Sequence, residues 1–319
     1  MISDEVEERM QTTNFMRDTV RGVRLRALNE EMQKDARTRI QYAAKYASSA
    51  NYWKNAIGMN EGLVKLKVLN RKKEQQERLL EFGRETGNDA YREAYETIRK
   101  IVAKRHDAVY HQQAIYEALM LGTEFSNIPE TAGLLKALQN GKKKEISEAT
   151  EQLRNSSKKF FNKDYNPEVD RKVSRQLIAL YARLVPAEQR ISIFQLIDKK
   201  FQGNTDAFVD ACFSQSVFSS PEALERFLKK PDAETLANDL MVQYASSVKK
   251  GYQATSDAMK AETNAITGHT RPGWQVCWNS SIKRRHRFIL MPTLPCDSLT
   301  ARSDRMNRQT ERNISTTRH

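Results

Sequence analysis

Apolar residues recur along this chain at spacings of three and four. Met16, Val20, Val23 and Ala27 follow i, i+4, i+7 and i+11, and Val173, Leu177, Leu180 and Leu184 repeat those steps. Tyr91, Ala94, Ile98 and Ile101 also step by three and four. Side chains so spaced share one side of a 3.6-residue helix, so each set predicts a helix with a single apolar stripe. No segment alternates β-branched and polar residues over the length of a strand, and strands are not expected before Gly268.

Between the stripes lie residues with the chemistry of helix ends. Gly83 and Gly87 bracket a turn, Asn127-Ile128-Pro129 and Asn140-Gly141 mark two more, and Asn162 to Pro167 marks another. Ser220-Pro221-Glu222 combines a capping hydroxyl, a proline for the first helical position and an early acid, and so predicts a helix start; Pro231-Asp232 opens the next helix. With only 12 Gly and 8 Pro in 319 residues, the chain reads as an all-α array. About eight helices are expected, several longer than about 20 residues, with no internal repeat of fixed period.

One stretch differs from the rest. Tyr42 to Gly62, YAAKYASSANYWKNAIGMNEG, has five alanines, two serines and two glycines around a polar and aromatic cluster of Asn51, Tyr52, Trp53, Lys54 and Asn55. Small neighbours allow another surface to come close, and asparagine amides need partners when buried. On residue chemistry alone, a reading with Trp53 as a core anchor and Asn51 as a helix-breaking cap stands ahead of a binding role. Gly58-Met59-Asn60-Glu61-Gly62 lacks the Lys-Ser/Thr and the preceding strand of a phosphate loop, and reads as a turn between helices.

The run from Arg24 to about Phe82, and KYASSANYWKNAIGMNEG above all, resembles the helical-domain signature of bacterial serine dipeptidyl-peptidases, which carry an all-α domain inserted in a trypsin-like double β-barrel. The likeness spans residues 1 to about 268, strong near Asn51 and diffuse beyond about Thr86. It implies a helical lid that caps the cleft between the barrel lobes and helps an exopeptidase count two residues from a free amino terminus. Asn51 is the substrate-binding residue it implies, its carbonyl accepting a hydrogen bond from the substrate ammonium, with Asn55 as fallback and Tyr52 and Trp53 as braces. The expected activity is serine-type release of dipeptides from peptide N-termini. In such enzymes the His and Asp precede the helical domain and the Ser follows it, so no catalytic residue is expected in this chain, which reads as an inactive fragment whose Met1 is an internal methionine. Acidic and hydrophobic preferences both occur among such enzymes, and nothing up to Thr270 separates them.

The tail is the second unusual region. Residues 271–319 hold 10 Lys and Arg against 3 Asp and Glu, a net of +7, leaving 43 against 37, or +6, for residues 1–270. The helical pattern stops at about Gly268, and residues 269–319 are expected to form no domain, a disordered or unreliable tail after a lid domain of residues 1–268. Leu290-Met291-Pro292-Thr293 can be encoded so that a shifted frame reads Asp-Ala-Asn, and the shift carried from Val276 to about Thr317 permits a sequence resembling the same peptidases as they re-enter the barrel. A one-base insertion or deletion near Thr270 to Gly273 is therefore expected, and the coding DNA decides it.

Other candidate chemistry is sparse. His106 and His111 are five residues apart and do not share a face as a metal pair would, so they read as surface histidines. Cys212, between Ala211 and Phe213, reads as a buried small hydrophobe. Lys142-Lys143-Lys144 and the region from Arg71 to Glu77 have glutamates close by and read as solvated helix faces. No cofactor, metal, nucleic acid or membrane partner is expected. No run of 18 apolar residues exists, and the acidic N-terminus lacks the basic and apolar regions of a signal peptide. The resemblance implies instead a periplasmic or cell-envelope parent acting on peptide N-termini, and leaves a homodimer open. A freestanding helical scaffold or adaptor without enzymatic activity is the alternative. A pI near 9.6 raises nucleic-acid binding, which a modest and interspersed charge over residues 1–270 undercuts.

Overall fold

A computed structural model describes residues 2–283. Among the described residues there is no strand, and the architecture is all-α. Residues Met1–Thr270 form one compact unit by their contacts, and the packing described below lies within it.

The N-terminal layer is a helical hairpin. α1 (Ser3–Arg9) runs through a π-helical turn at Met10–Asn14 into α2 (Phe15–Lys34), and α3 (Ala36–Lys65) follows after one extended residue. That residue, Asp35, adopts φ −144° and ψ 130°, and its carboxylate accepts from the backbone N–H groups of Arg37 at 3.2 Å and Thr38 at 2.8 Å. An aspartate in this position satisfies donors that would otherwise be orphaned at the helix start. So short a link forces α2 and α3 antiparallel, as the contacts Asn14–Asn60 and Asp18–Trp53 record: the partner number falls on α3 as it rises on α2. Met16, Val20 and Ala27 of the predicted stripe are buried on α2.

α4 (Val68–Glu85) and α5 (Ala90–Ala114) form a second pair, and α5 passes into a π-helical turn at Ile115–Met120. After a 3₁₀ turn at Phe125–Asn127 come α6 (Ala132–Asn140) and α7 (Lys143–Phe160). α8 (Pro167–Leu184) carries the central stripe, with Val173, Leu177 and Leu180 buried. α9 (Ile193–Phe201), α10 (Thr205–Gln215), α11 (Pro221–Lys229), α12 (Ala233–Asn238) and α13 (Leu240–Lys283) complete the array. Aromatic packing joins the later helices to the middle: the Phe125 and Tyr244 rings stack 4.3 Å apart and Phe208 lies 6.1 Å from Tyr244.

Several boundaries fall where the sequence placed them. Gly141 takes the left-handed conformation after α6, Asn166 caps α8 just before Pro167, Ser220 caps α11, and Asp232 caps α12. The all-α array stands, with α3, α5 and α13 each longer than 20 residues, and short connections such as Gln202-Gly203-Asn204 divide some stretches that periodicity alone joins. Two expectations are corrected. Gly58 to Gly62 is no turn: it lies inside the 30-residue α3, where a helix tolerates a glycine at about 1 kcal/mol and Asn60 is tied to Asn14. α13 runs past Gly268 to Lys283, although Pro272 within it donates no backbone N–H. The rest of the expected out-of-frame tail, from Arg284, lies outside the described residues.

Candidate functional site

The segment around Asn51 lies on a continuous helix whose two faces differ. Asn51 is exposed near the middle of α3, together with Ala47, Ser48 and Asn55. Positions three and four residues apart share a face, so two amides and small side chains form one open surface. The reading of Asn51 as a helix-breaking cap is therefore corrected: the helix continues through it, because the flanking residues are held from below.

Trp53 donates its ring N–H to Asp18 Oδ1 at 2.9 Å. Gly22, one turn further along α2, leaves room for the indole; a Cβ there would come within 3.3 Å of Trp53 Nε1. Tyr52 is 51% exposed, and its ring lies 4.7 Å from the Arg21 guanidinium carbon and 5.7 Å from that of Arg17. Both arginines donate to the buried Glu117 carboxylate, Arg21 Nε at 2.7 Å and Arg17 Nε at 3.2 Å. Further along, Asn14 Nδ2 donates to Asn60 Oδ1 at 2.7 Å. The sequence reading named Tyr52 and Trp53 as braces but missed Arg17, Arg21, Asp18 and Glu117. Charged residues at i and i+4 beside the apolar stripe of α2 were the available signal.

The N-terminal half of α3 is tied to α8 by a second polar cluster. Lys45 Nζ donates to Glu124 Oε2 and to the Asp164 carbonyl, each at 2.6 Å. The Tyr42 hydroxyl donates to the Asn166 carbonyl and accepts from the Asn166 N–H, each at 3.3 Å. Burial, aided by the Glu124 and Asp170 carboxylates, pushes the Tyr42 hydroxyl well above its ordinary value, so it stays a neutral donor. These bonds fix the height of α3 over the core and are structural.

The histidines do not form a pair. His106, half-buried, has its Nδ1 3.2 Å from Asp107 Oδ1. His111 is corrected from a surface residue: it is half-buried, with Nε2 2.9 Å from the Tyr181 hydroxyl, and burial holds its pKa below the ordinary value. The ring fills a gap between α5 and α8 that periodicity does not reveal. Cys212 is buried as expected, and burial followed by the nearby Asp239 carboxylate raises its thiol pKa, which makes it a poor nucleophile. Among the described residues no cluster of metal-ligating side chains occurs, and no helix is long and apolar enough to cross a membrane.

Residues 1–274 match the peptidase S46 family, and the chain belongs to that family. Dipeptidyl-peptidase 7 of Phocaeicola vulgatus is 38% identical over 245 residues, covering 76% of this chain and 34% of that protein. The Asp/Glu-specific dipeptidyl-peptidase of Porphyromonas gingivalis is 36% identical over 265 residues, 83% of this chain and 37% of that protein. The crystal structure of Porphyromonas endodontalis DPP11 in complex with the dipeptide Arg-Glu superposes with a TM-score of 0.79 at 31% identity, over 85% of this chain and 39% of that one. The chain thus spans about a third of the length of the curated relatives it matches.

Proposed function

We propose that this chain supplies the substrate-capping helical region of a serine-type dipeptidyl-peptidase that releases dipeptides from peptide N-termini. In this reading Asn51 receives the free amino group. The observation that carries it is the exposed Asn51 amide in the middle of a helix whose neighbours, Tyr52 and Trp53, are bound from beneath by Arg21 and Asp18. A substrate ammonium offers three donors and no acceptor, and an amide oxygen accepts one of them without adding a charge. Exposure before substrate arrives avoids the cost of leaving that oxygen buried and unsatisfied. Family membership and the dipeptide-bound structural relative support the substrate class.

The groups that break the peptide bond come, in this reading, from outside residues 1–274. Nucleophile, base, orienting carboxylate and oxyanion donors must converge, whereas His111 is engaged by Tyr181 and His106 by Asp107. A periplasmic or cell-envelope location for the whole enzyme accords with this assignment.

The test is Asn51→Ala in a peptidase that contains this helical region with the remainder of the enzyme. The expected loss in kcat/KM on dipeptidyl substrates is about 1.5–3 kcal/mol, the worth of a hydrogen bond to a charged group, with the thermal midpoint unchanged. An unaltered kcat/KM rules out the anchor.

A further inference from the structure

We propose that Glu117 is a positioning residue for the amino-group anchor: acting through Arg21 and Arg17 it fixes the Tyr52 ring, and with it the stretch of α3 that carries Asn51. This role presupposes that Asn51 holds the substrate ammonium, as set out above.

The Glu117 side chain is 1% exposed, that of Arg21 8% and that of Arg17 24%. A carboxylate so deeply buried holds its partners firmly, because removing either side of the pair leaves an uncompensated charge. Two guanidinium groups bound to one carboxylate have little freedom, and their planar faces suit an aromatic ring. The Tyr52 ring lies against them, 4.7 Å from Arg21 and 5.7 Å from Arg17. Glu117 therefore reaches α3 through one layer of arginine and touches no exposed surface itself.

The backbone beneath is unusual at the same place. Glu117 belongs to the π-helical turn Ile115–Met120, and the other π-helical turn among the described residues, Met10–Asn14, carries Asn14. Asn14 is 1% exposed and bonds Asn60, the far end of the same stretch of α3. Turns of this type are rare, and their extra residue redirects side chains that a regular helix would aim elsewhere. Here both lead to one segment: Glu117 to Tyr52 at its start and Asn14 to Asn60 at its end, with Asp18 on Trp53 between. An anchor must be held in its productive geometry before substrate arrives, which this bracing supplies.

A purely structural role for these contacts predicts that variants lose stability while the folded fraction keeps its KM. Steady-state kinetics separates the two in the whole peptidase containing this region, on a dipeptidyl amide with a free amino terminus, well below the melting temperature. Glu117→Gln and Tyr52→Ala should each raise KM about tenfold with kcat changed less than about twofold, the signature of lost ground-state and transition-state binding alike. Tyr52→Phe keeps the ring and should return KM to within about twofold of wild type. If Glu117→Gln fails to fold, the Tyr52 pair carries the test, since that side chain is half-exposed. Unchanged KM in a folded Glu117→Gln or in Tyr52→Ala, or Tyr52→Phe behaving as Tyr52→Ala does, overturns the positioning role. When this happens while Asn51→Ala still weakens kcat/KM, the anchor stands without its brace. An unaltered kcat/KM in Asn51→Ala removes the anchor, and the positioning role with it.

Discussion

Asp170 shows how a buried carboxyl can be structural and still leave a measurable trace. It is 1% exposed on α8 and accepts hydrogen bonds from the N–H groups of Glu124 and Phe125, each at 2.8 Å, and from the Ser174 hydroxyl at 3.0 Å. Those donors tie the short turn Phe125–Asn127 to α8. Burial, with the neighbouring Glu124 carboxylate, pushes its pKa up from the ordinary 3.8 to about 7. Between those values the folded protein binds this proton and the unfolded chain does not. The contribution of Asp170 to stability therefore falls as pH rises through the window, by at most about 1.4 kcal/mol per pH unit. Asp170→Asn cannot titrate, so denaturant melts of both proteins should show wild type gaining on the variant from about pH 7 down to about pH 5. A stability difference that stays constant over that range, or shifts in favour of the variant toward acid, contradicts the assignment.

Elements of equal length differ widely in how they are held. α4 and α8 each have 18 residues, but Gly83 alone is buried on α4, whereas α8 buries eight side chains, among them Val173, Leu177, Ile178 and Tyr181. α4 also begins after Lys67, a non-glycine residue in the left-handed region at φ 50°. Such a conformation costs about 1 kcal/mol or more. Polar ties such as the Ser3 N–H to Gln76 Oε1 bond at 2.6 Å connect α4 to the body, and polar ties open more readily than a packed apolar stripe. Hydrogen exchange read by mass spectrometry should therefore find α4 peptides exchanging at least about a hundredfold faster than those of α8. Equal protection of the two would mean that α4 is part of the cooperative core.

The same contrast explains what the sequence revealed. Stripes such as Val173 to Leu184 were legible because burial imposes period on apolar residues, and ends such as Ser220-Pro221 because capping imposes residue type. The continuation of α3 through Gly58 and Gly62 was not legible, since glycine marks turns in most contexts and here tertiary ties override it. The two π-helical turns leave no pattern in the residues at all. Glu117 stayed hidden for that reason: its partners Arg17 and Arg21 are distant in sequence and brought to it only by the fold. Asn51 was singled out through the resemblance of its surroundings, because one exposed asparagine carries no signal of its own.

For the molecule as a whole, coverage and chemistry bear on each other. Residues 1–274 match the peptidase family, yet the chain corresponds to 34% and 37% of the two curated relatives described above. Binding a substrate's amino end and cutting two residues away are different tasks, and the second needs a converging nucleophile, base and oxyanion donors. If residues 1–274 serve only the first, the 319-residue chain by itself leaves a fluorogenic dipeptidyl amide intact, even with its helical unit folded as judged by circular dichroism. The folded state must be verified in the same sample, so that a silent assay reports missing chemistry rather than lost structure. Cleavage that co-purifies with the folded chain and falls in Asn51→Ala would assign catalysis to these residues and overturn the division of labour. Cleavage indifferent to Asn51→Ala that separates from the folded chain on further purification identifies a contaminating peptidase, whereas indifferent cleavage that stays with the chain overturns both the division of labour and the anchor.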